Sequence, residues 1–213
     1  MPDPVLGVTI SVVTGYLLGS IPSGLLIGRW IRGVDVRTVG SGRTGATNVM
    51  RSLGAKGFAT TFAADAGKAI LAILVASLPQ LNGADPIFAQ CLAGLAAIVG
   101  HNWSIYIRFG GGRGVACSFG AMAILYWPGA LAGLIAAAIL IGLTRYVSLG
   151  SIVGTVGGAT LAVVAYAVGS TPIAIALFGA VTAILVVAQH RDNIQRLLAG
   201  TERKIGERSR PQT

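Results

Sequence analysis

Charged side chains are scarce in this chain. They make up 11% of its 213 residues, against roughly a quarter in ordinary soluble domains. Acidic residues are rarest, because seven Asp and Glu stand against sixteen Lys and Arg and leave a formal net charge of +9. Such a basic balance suggests nucleic acid as a partner, but the charges are dispersed between long uncharged runs. We therefore expect no nucleic-acid partner, and the apolar composition also excludes a disordered chain.

Cysteine is nearly absent as well. The chain has two, Cys91 and Cys117, each inside an apolar run and neither with a partner at metal-ligand spacing. This number excludes a disulfide scaffold, and we expect both side chains to be small buried hydrophobic groups. The sequence indicates neither a metal site nor a cofactor.

Long apolar runs dominate what is present. Apolar residues make up 54% of the chain, and the mean hydropathy is +0.75. No basic residue precedes the first run, Pro4 to Gly28, so we expect a retained helix there and no cleaved signal peptide. The longest run, Tyr146 to His190, has 45 residues, whereas one helical span needs about 20. It must therefore fold back once, and the chain is predicted to be an all-α polytopic membrane protein.

The distribution of Lys and Arg fixes the expected number of spans. Reading the 114–144 run as a hairpin gives seven transmembrane helices with the N-terminus outside and the C-terminus cytoplasmic. The outer segments 1–4, 80–86, 127–128 and 169–172 then contain no Lys or Arg, as the positive-inside bias requires. The chain is treated as one membrane domain, 1–213, and its predicted spans are 5–28, 57–79, 87–107, 114–127, 129–144, 148–168 and 173–189.

The unusual polar residues fall in three segments that this topology places on one face of the membrane. We call 34–51, 100–116 and 190–206 the first, second and third polar segments. Both histidines of the chain lie in them. A smaller feature is a predicted i,i+3 ion pair between Asp65 and Lys68, near the start of the second span.

The first polar segment imitates a dinucleotide-binding motif. Its Gly40-x-Gly42-x-x-Gly45 follows a strand-like stretch, but the motif requires a βαβ unit, and here a membrane helix follows. The glycines permit turns whose N–H groups face an anion, with Ser41, Thr44, Thr47 and Asn48 as further donors and Arg43 and Arg51 as charges. A merely solvated loop is the alternative.

The second polar segment contains Gly110-Gly111-Gly112-Arg113-Gly114. The arginine lies in a pliable turn before a helix N-terminus, which favours phosphate binding; no Lys-Ser/Thr follows, so the turn is not a Walker A loop. His101, before this turn, is explained equally well by a functional role or a structural hydrogen bond. In the third segment, His190, Asn193 and Arg196 share one helix face, and His190 could be a general base or a phosphate donor.

Together these segments predict a site for one or two phosphorylated substrates, at least one of which could approach from the bilayer. An organic-anion transporter would instead place charges at mid-membrane in inverted halves, and a structural membrane protein would not need special glycines beside arginines in three segments.

These residues resemble the bacterial acyl-phosphate:glycerol-3-phosphate acyltransferase family. The likeness runs from GSIPSG at 19–24, through the three polar segments in order, to TERKIG at 201–206. It implies seven helices in the bacterial inner membrane and an active site on the cytoplasmic face. It also implies transfer of a long-chain acyl group from acyl phosphate, not acyl-CoA, to the 1-hydroxyl of glycerol 3-phosphate, giving lysophosphatidic acid and phosphate, with no covalent enzyme intermediate. Its implied partners are these two substrates and membrane lipids; the oligomeric state is left open, and a monomer would suffice.

The resemblance also implies roles for individual residues. The proposed catalytic set is Ser41, Arg51, Arg113, His190 and Asn193. The residues proposed to bind substrate or phosphate are Gly40, Gly42, Arg43, Thr47, Asn48, Lys68, Gly111, Gly112, Gly114, Arg196 and Glu202. The chain departs from the usual family pattern twice, because Arg43-Thr44 replaces an Asn and an apolar residue and Arg113 replaces a lysine. Arginine keeps the charge but adds a rigid bidentate fork. The acceptor of the hydroxyl proton, His190 or a substrate phosphate, is left open.

Overall fold

The computed structural model describes residues 4–79, 81 and 85–206 and is helical. These residues form nine α-helices, two short 3-10 turns and no strand. The prediction of an all-α membrane protein is confirmed. The helices, α1 to α9 in chain order, are Pro4–Ser20, Ser23–Arg32, Ala46–Ala76, Pro86–Asn102, Val115–Leu125, Trp127–Thr144, Val147–Ala167, Ile173–Gln189 and Arg191–Leu198.

The seven predicted spans correspond to α1 and α3 to α8, with different ends. Val5–Arg32 is apolar enough for one span, but the helix is interrupted at Ile21 and Pro22, because proline lacks an N–H donor. The third predicted span, 87–107, stops as a helix at Asn102. Helix α3 starts eleven residues before the predicted 57, and Gly54, at φ 71°, interrupts it.

Among the described residues, four helical stretches are long and apolar enough to cross a membrane, and α8 with α9, bent by 61°, gives a fifth. The 114–144 run is divided into α5 and α6, as predicted, with Tyr126 between them. Helix α5 has 11 residues and is about 17 Å long, half of the ~30 Å hydrocarbon core. Of the outer segments, residues 1–3, 80 and 82–84 lie outside the described residues.

Glycines allow the helices to approach closely. A Cβ on Gly133 would lie 2.5 Å from the carbonyl oxygen of Gly154, and one on Gly158 would lie 2.5 Å from that of Gly129. Helices α6 and α7 are therefore in backbone contact, because small residues let helix backbones approach closely. The buried centre, around Phe178, Ile73 and Ile98, holds α3, α4 and α8 together.

The chain brings its three polar segments together at one end of the bundle. The Thr44 N–H donates to the Gly111 carbonyl at 3.3 Å and joins the first segment to the second. The Arg113 Nε donates to the Gln189 carbonyl at 3.2 Å and joins the second segment to the end of α8. The predicted convergence is confirmed, and it creates the candidate site.

Candidate active site

Asn48, at the start of α3, organises the first polar segment. Its side chain is buried, and its Oδ1 accepts from the Ser41 N–H at 2.9 Å and from Arg51 at 3.1 Å. Its Nδ2 donates to the carbonyl oxygens of Val36, Val39 and Arg43 at 2.7, 3.1 and 2.8 Å. One amide therefore holds the loop over residues 36–43 and orients an arginine.

The glycines of this segment have different roles. Gly40 and Gly42 have φ of 61° and 67°, a left-handed conformation that favours glycine. Gly45, at φ −73°, is extended and caps the start of α3. Gly40 and Gly42 thus form the predicted turns in the left-handed conformation, whereas at Gly45 the chain bends into α3 without a positive φ.

The second segment is packed against the end of α4. The Gly112 N–H donates to the His101 carbonyl at 3.0 Å. A Cβ on Gly111 would meet the same carbonyl oxygen, and one on Gly112 would clash with Nε2 of the His101 ring. The two glycines are therefore required for close approach, and they place Arg113 directly before the N-terminus of α5.

Arg113 lies in a concentration of positive charge. Burial, followed by repulsion from Arg43 and Arg196, lowers the pKa of Arg113 to about 10. The guanidinium stays protonated at neutral pH, but a cation that is partly desolvated beside other cations favours an anionic partner. This electrostatic setting fits the prediction that the turn binds phosphate.

His190 lies at the 61° bend between α8 and α9. Its ring is buried, and Nδ1 is 2.8 Å from the Val186 carbonyl oxygen. A carbonyl oxygen only accepts, so Nδ1 carries the proton and Nε2 offers a lone pair. Burial, together with the charges of Arg113 and Arg43, lowers the pKa of His190 to about 4. The ring is therefore neutral at physiological pH.

Glu202 fixes the geometry of the third segment. Its Oε1 accepts from Ser148 at 2.8 Å and from Asn193 at 2.5 Å, and its Oε2 accepts from Arg196 at 2.7 Å. Burial alone would raise the pKa of Glu202, but the hydrogen bonds from Asn193, Ser148 and Arg196 outweigh it and lower that pKa. The ionised carboxylate thus joins α7, α9 and the segment after α9.

A cavity of about 340 Å³ begins among these groups and extends between the helices. Its other end is formed by α3, α5, α6 and α7, and two of its aromatic rings, Phe62 and Phe119, are 5.5 Å apart between centroids. Apolar side chains that line this end are Phe58, Phe62, Phe119, Met122, Leu134 and Ile141. The cavity therefore has a cationic end and an apolar end.

Most of the predicted site residues line this cavity. They are Ser41, Arg43, Thr47, Asn48, Arg51, Gly112, Arg113, Gly114, His190, Asn193 and Glu202. Gly40, Gly42 and Gly111 lie behind the lining in the turns that shape it, and Arg196 pairs with Glu202 from the side.

Lys68 lies elsewhere. It is buried and paired with Asp65, with 2.9 Å between Nζ and Oδ1, as the i,i+3 spacing predicts. It does not line the cavity, although Asp65 and His101 do. Its predicted role in binding substrate is therefore indirect at most, since its ammonium group is used within the bundle.

The structure adds connections and lining residues that the sequence does not predict. Asp65, His101 and Cys117 place one ligand-type atom each within 4.8 Å of one another, but the Lys68 ammonium lies 3.0 Å from His101 Nδ1 and occupies the position of a cation. Both cysteines are buried, as predicted. No local sequence pattern marks Ser148 or the aromatic lining as part of the site, because their contacts are with residues distant in sequence.

The chain is similar to glycerol-3-phosphate acyltransferases. A family model described as "Glycerol-3-phosphate acyltransferase" matches residues 9–200. A glycerol-3-phosphate acyltransferase 3 of Dehalococcoides mccartyi is 42% identical over 207 residues, which cover 93% of this chain and 96% of the relative. A glycerol-3-phosphate acyltransferase of a Synechococcus species is 44% identical over 196 residues, covering 92% and 94%.

Solved structures agree with the sequence comparison. The chain superposes on a crystal structure of the integral membrane glycerol 3-phosphate acyltransferase PlsY in its glycerol 3-phosphate form, with a TM-score of 0.83 and 34% identity over 93% of this chain and 96% of that one. A lysophosphatidic acid form of PlsY gives 0.81 and 33%, covering 93% and 95%.

Proposed function

The chain belongs to the glycerol-3-phosphate acyltransferase family, and on this basis we propose that it transfers an acyl group from acyl phosphate to the 1-hydroxyl of glycerol 3-phosphate. The products are lysophosphatidic acid and phosphate. Relatives carry the name of this acyltransferase activity, and PlsY has been crystallised in glycerol 3-phosphate and lysophosphatidic acid forms.

The form of the cavity is the observation that carries this proposal. Its cationic end, with Arg43, Arg51 and Arg113, suits two phosphate groups, and its apolar end suits one acyl chain. Acyl phosphate joins a phosphate directly to an acyl carbonyl, so the donor can place its reacting carbon where the two ends of the cavity meet. The substrates repel each other as anions, and the arginines offset that repulsion.

The transfer needs alignment more than covalent help from the enzyme. The glycerol hydroxyl oxygen forms an ester bond with the acyl carbon, the bond from that carbon to the phosphate oxygen breaks, and the phosphate leaves. Acyl phosphate is already an activated anhydride, so positioning and charge neutralisation suffice. Ser41, Thr47, Asn193 and the N–H group of Gly114 are proposed as further positioning donors.

The relative basicities favour a substrate phosphate as the proton acceptor. With a pKa of about 4, His190 is a weak base, whereas a phosphate ester has a second pKa of about 6. A base works best when its pKa is near the operating pH. We therefore propose that a substrate phosphate oxygen takes the proton of the 1-hydroxyl, and that Nε2 of His190 accepts a hydrogen bond from the 2-hydroxyl of glycerol 3-phosphate and so orients the substrate.

The proposed orientation in the bacterial inner membrane places the N-terminus outside and the polar segments on the cytoplasmic side. The clustering of Lys and Arg in and around those segments supports it, and so does a substrate, glycerol 3-phosphate, too polar to cross the bilayer unaided.

An assay with two donors tests the reaction and its side. Purified protein incubated with glycerol 3-phosphate and palmitoyl phosphate is expected to form lysophosphatidic acid and phosphate in equal amounts, and palmitoyl-CoA is expected to give neither. In sealed vesicles, external glycerol 3-phosphate should react only when the cytoplasmic face points outward. If a folded sample forms no product with either donor, the proposed function is wrong. Product from palmitoyl-CoA would refute the proposed donor, and product in vesicles of the opposite orientation would refute the proposed orientation.

The proposed role of His190 gives a pH prediction. Because its pKa is about 4, His190 is neutral across pH 5–9 and cannot cause an acidic limb in turnover. His190→Gln, which keeps an acceptor, should lower kcat by less than about tenfold and leave the midpoint of any acidic limb unchanged. A loss above about a thousandfold, or a limb that vanishes in the variant, would instead identify His190 as the base.

A further inference from the structure

A buried ionic cluster lies directly behind the glycine turn of the second polar segment. The side chains of Lys68, Asp65 and His101 are 6%, 2% and 4% exposed. The Lys68 Nζ donates to the Ile21 carbonyl at 2.7 Å, is 2.9 Å from Asp65 Oδ1 and is 3.0 Å from His101 Nδ1. Apart from the substrate-binding role predicted for Lys68 from the sequence, the roles proposed above use none of these three groups.

These distances determine which ring nitrogen of His101 carries a proton. An ammonium group has three protons and accepts no hydrogen bond, and here it has three neighbours: the Ile21 carbonyl, the Asp65 carboxylate and Nδ1. At 3.0 Å from that donor, Nδ1 must present its lone pair. The ring proton is then on Nε2, and Lys68 sets this tautomer.

The Nε2 end of the ring is directed at the cavity. The His101 ring contacts Lys68 and Asp65, in both cases through Nδ1. Nε2 has no partner among the described residues. Nε2 lies against Gly112, where there is no room for a Cβ, and both His101 and Gly112 line the cavity. The His101 side chain is only 4% exposed, and a donor without a protein acceptor at the wall of a cavity is suited to an acceptor on a ligand.

We propose that His101 is a further substrate-contacting residue, whose Nε2–H donates to a phosphate oxygen at the cationic end of the cavity. Arg113 follows Gly112 directly, so both would contact the same anion. The negative charge of Asp65 is offset by Lys68, 2.9 Å away. Lys68 is then a positioning residue that acts through His101. That this phosphate belongs to a substrate rests on the proposed function, whereas the assignment of Nε2–H of His101 as a hydrogen-bond donor does not.

NMR of the histidine ring nitrogens tests directly whether Nε2 of His101 carries a proton that contacts an anion. The chain has two histidines, so in His190→Gln protein labelled with 15N-histidine the remaining imidazole is His101. We expect a neutral ring protonated at Nε2, whose Nε2 resonance shifts on adding inorganic phosphate or glycerol 3-phosphate, but not glycerol. A larger response to one anion assigns the contact to the leaving phosphate or to the acceptor substrate. A ring protonated at Nδ1, or a resonance indifferent to both anions, would overturn the proposal.

Variants separate this contact from a purely structural role. His101→Gln, which can keep an N–H donor, should retain activity within about tenfold, whereas His101→Phe should weaken product inhibition by phosphate at least tenfold. Lys68→Met should move the ring proton to Nδ1 in the NMR experiment, and Lys56→Met, an exposed lysine of the same helix, should not. A Phe variant that folds and is inhibited normally would refute the contact. Lysophosphatidic acid formation by wild-type protein reports separately on the proposed function.

Discussion

Arg113→Ala is expected to lower kcat/KM by about a hundredfold to a thousandfold, the cost of removing one preorganised donor for developing charge. Arg113 lies at the cationic end of the cavity, before α5, and its Nε is held by the Gln189 carbonyl. Without it, the two anionic substrates lose the cation that is in place before either binds. The measurement is steady-state kinetics with palmitoyl phosphate and glycerol 3-phosphate varied in turn.

Arg113→Lys is the matched control, since lysine is the residue of the usual family pattern at this position. It keeps the charge but loses the bidentate fork, so we expect most of the lost activity to return, with the remaining deficit mainly in KM. Equal deficits in the Ala and Lys variants would show that the hydrogen bond to Gln189 matters more than the charge. An Ala variant with near-normal turnover would remove Arg113 from the mechanism.

Asn48→Ala is expected to have the second largest effect, because one amide holds the whole first polar segment. It removes five hydrogen bonds, to Ser41, Arg51, Val36, Val39 and Arg43, and each buried polar group left unpaired costs about 1–3 kcal/mol. We expect the loop over 36–43 to become mobile, with activity reduced at least about a hundredfold. Hydrogen exchange of the loop amides, together with kinetics, measures this.

Asn102→Ala provides the control in the same residue type. Asn102 is as buried as Asn48, but the structure gives its side-chain amide no hydrogen-bond partner among the described residues. Its removal should therefore change loop exchange little. If both variants protect the loop amides to the same degree, the hydrogen bonds of Asn48 do not organise the segment.

The sequence contained enough to predict the helices and the polar segments. Apolar runs and the placement of Lys and Arg are local signals, and they identified the break between α5 and α6 as well as the pairing of Asp65 with Lys68. Helix ends were less well predicted. The predicted spans do not include the interruption at Pro22 or the left-handed Gly54. Pro4 to Gly28 is one uncharged run in the sequence, and Gly54 lies before the start of the expected second span.

Most of the predicted site residues line the cavity, but the sequence did not predict the connections between them. Ser148 meets Glu202 across 54 positions, and Lys68 meets His101 across 33, distances at which a single sequence gives no pairing signal. Lys68 was therefore grouped with the substrate-binding residues because of its charge, although its partners lie inside the bundle. Likewise, the roles of Gly111 and Gly112 in close approach depend on a neighbouring helix end.

Glu202 has a consequence for how the protein is made. It and the four residues after it line the cavity, and they are encoded after all nine helices described above. A ribosome inserting this chain thus delivers the carboxylate that orders Asn193 and Arg196 only after the rest of the bundle is in the membrane. The nascent chain cannot assemble its binding pocket during translation, so premature termination at codon 200 would yield an inserted but inactive protein.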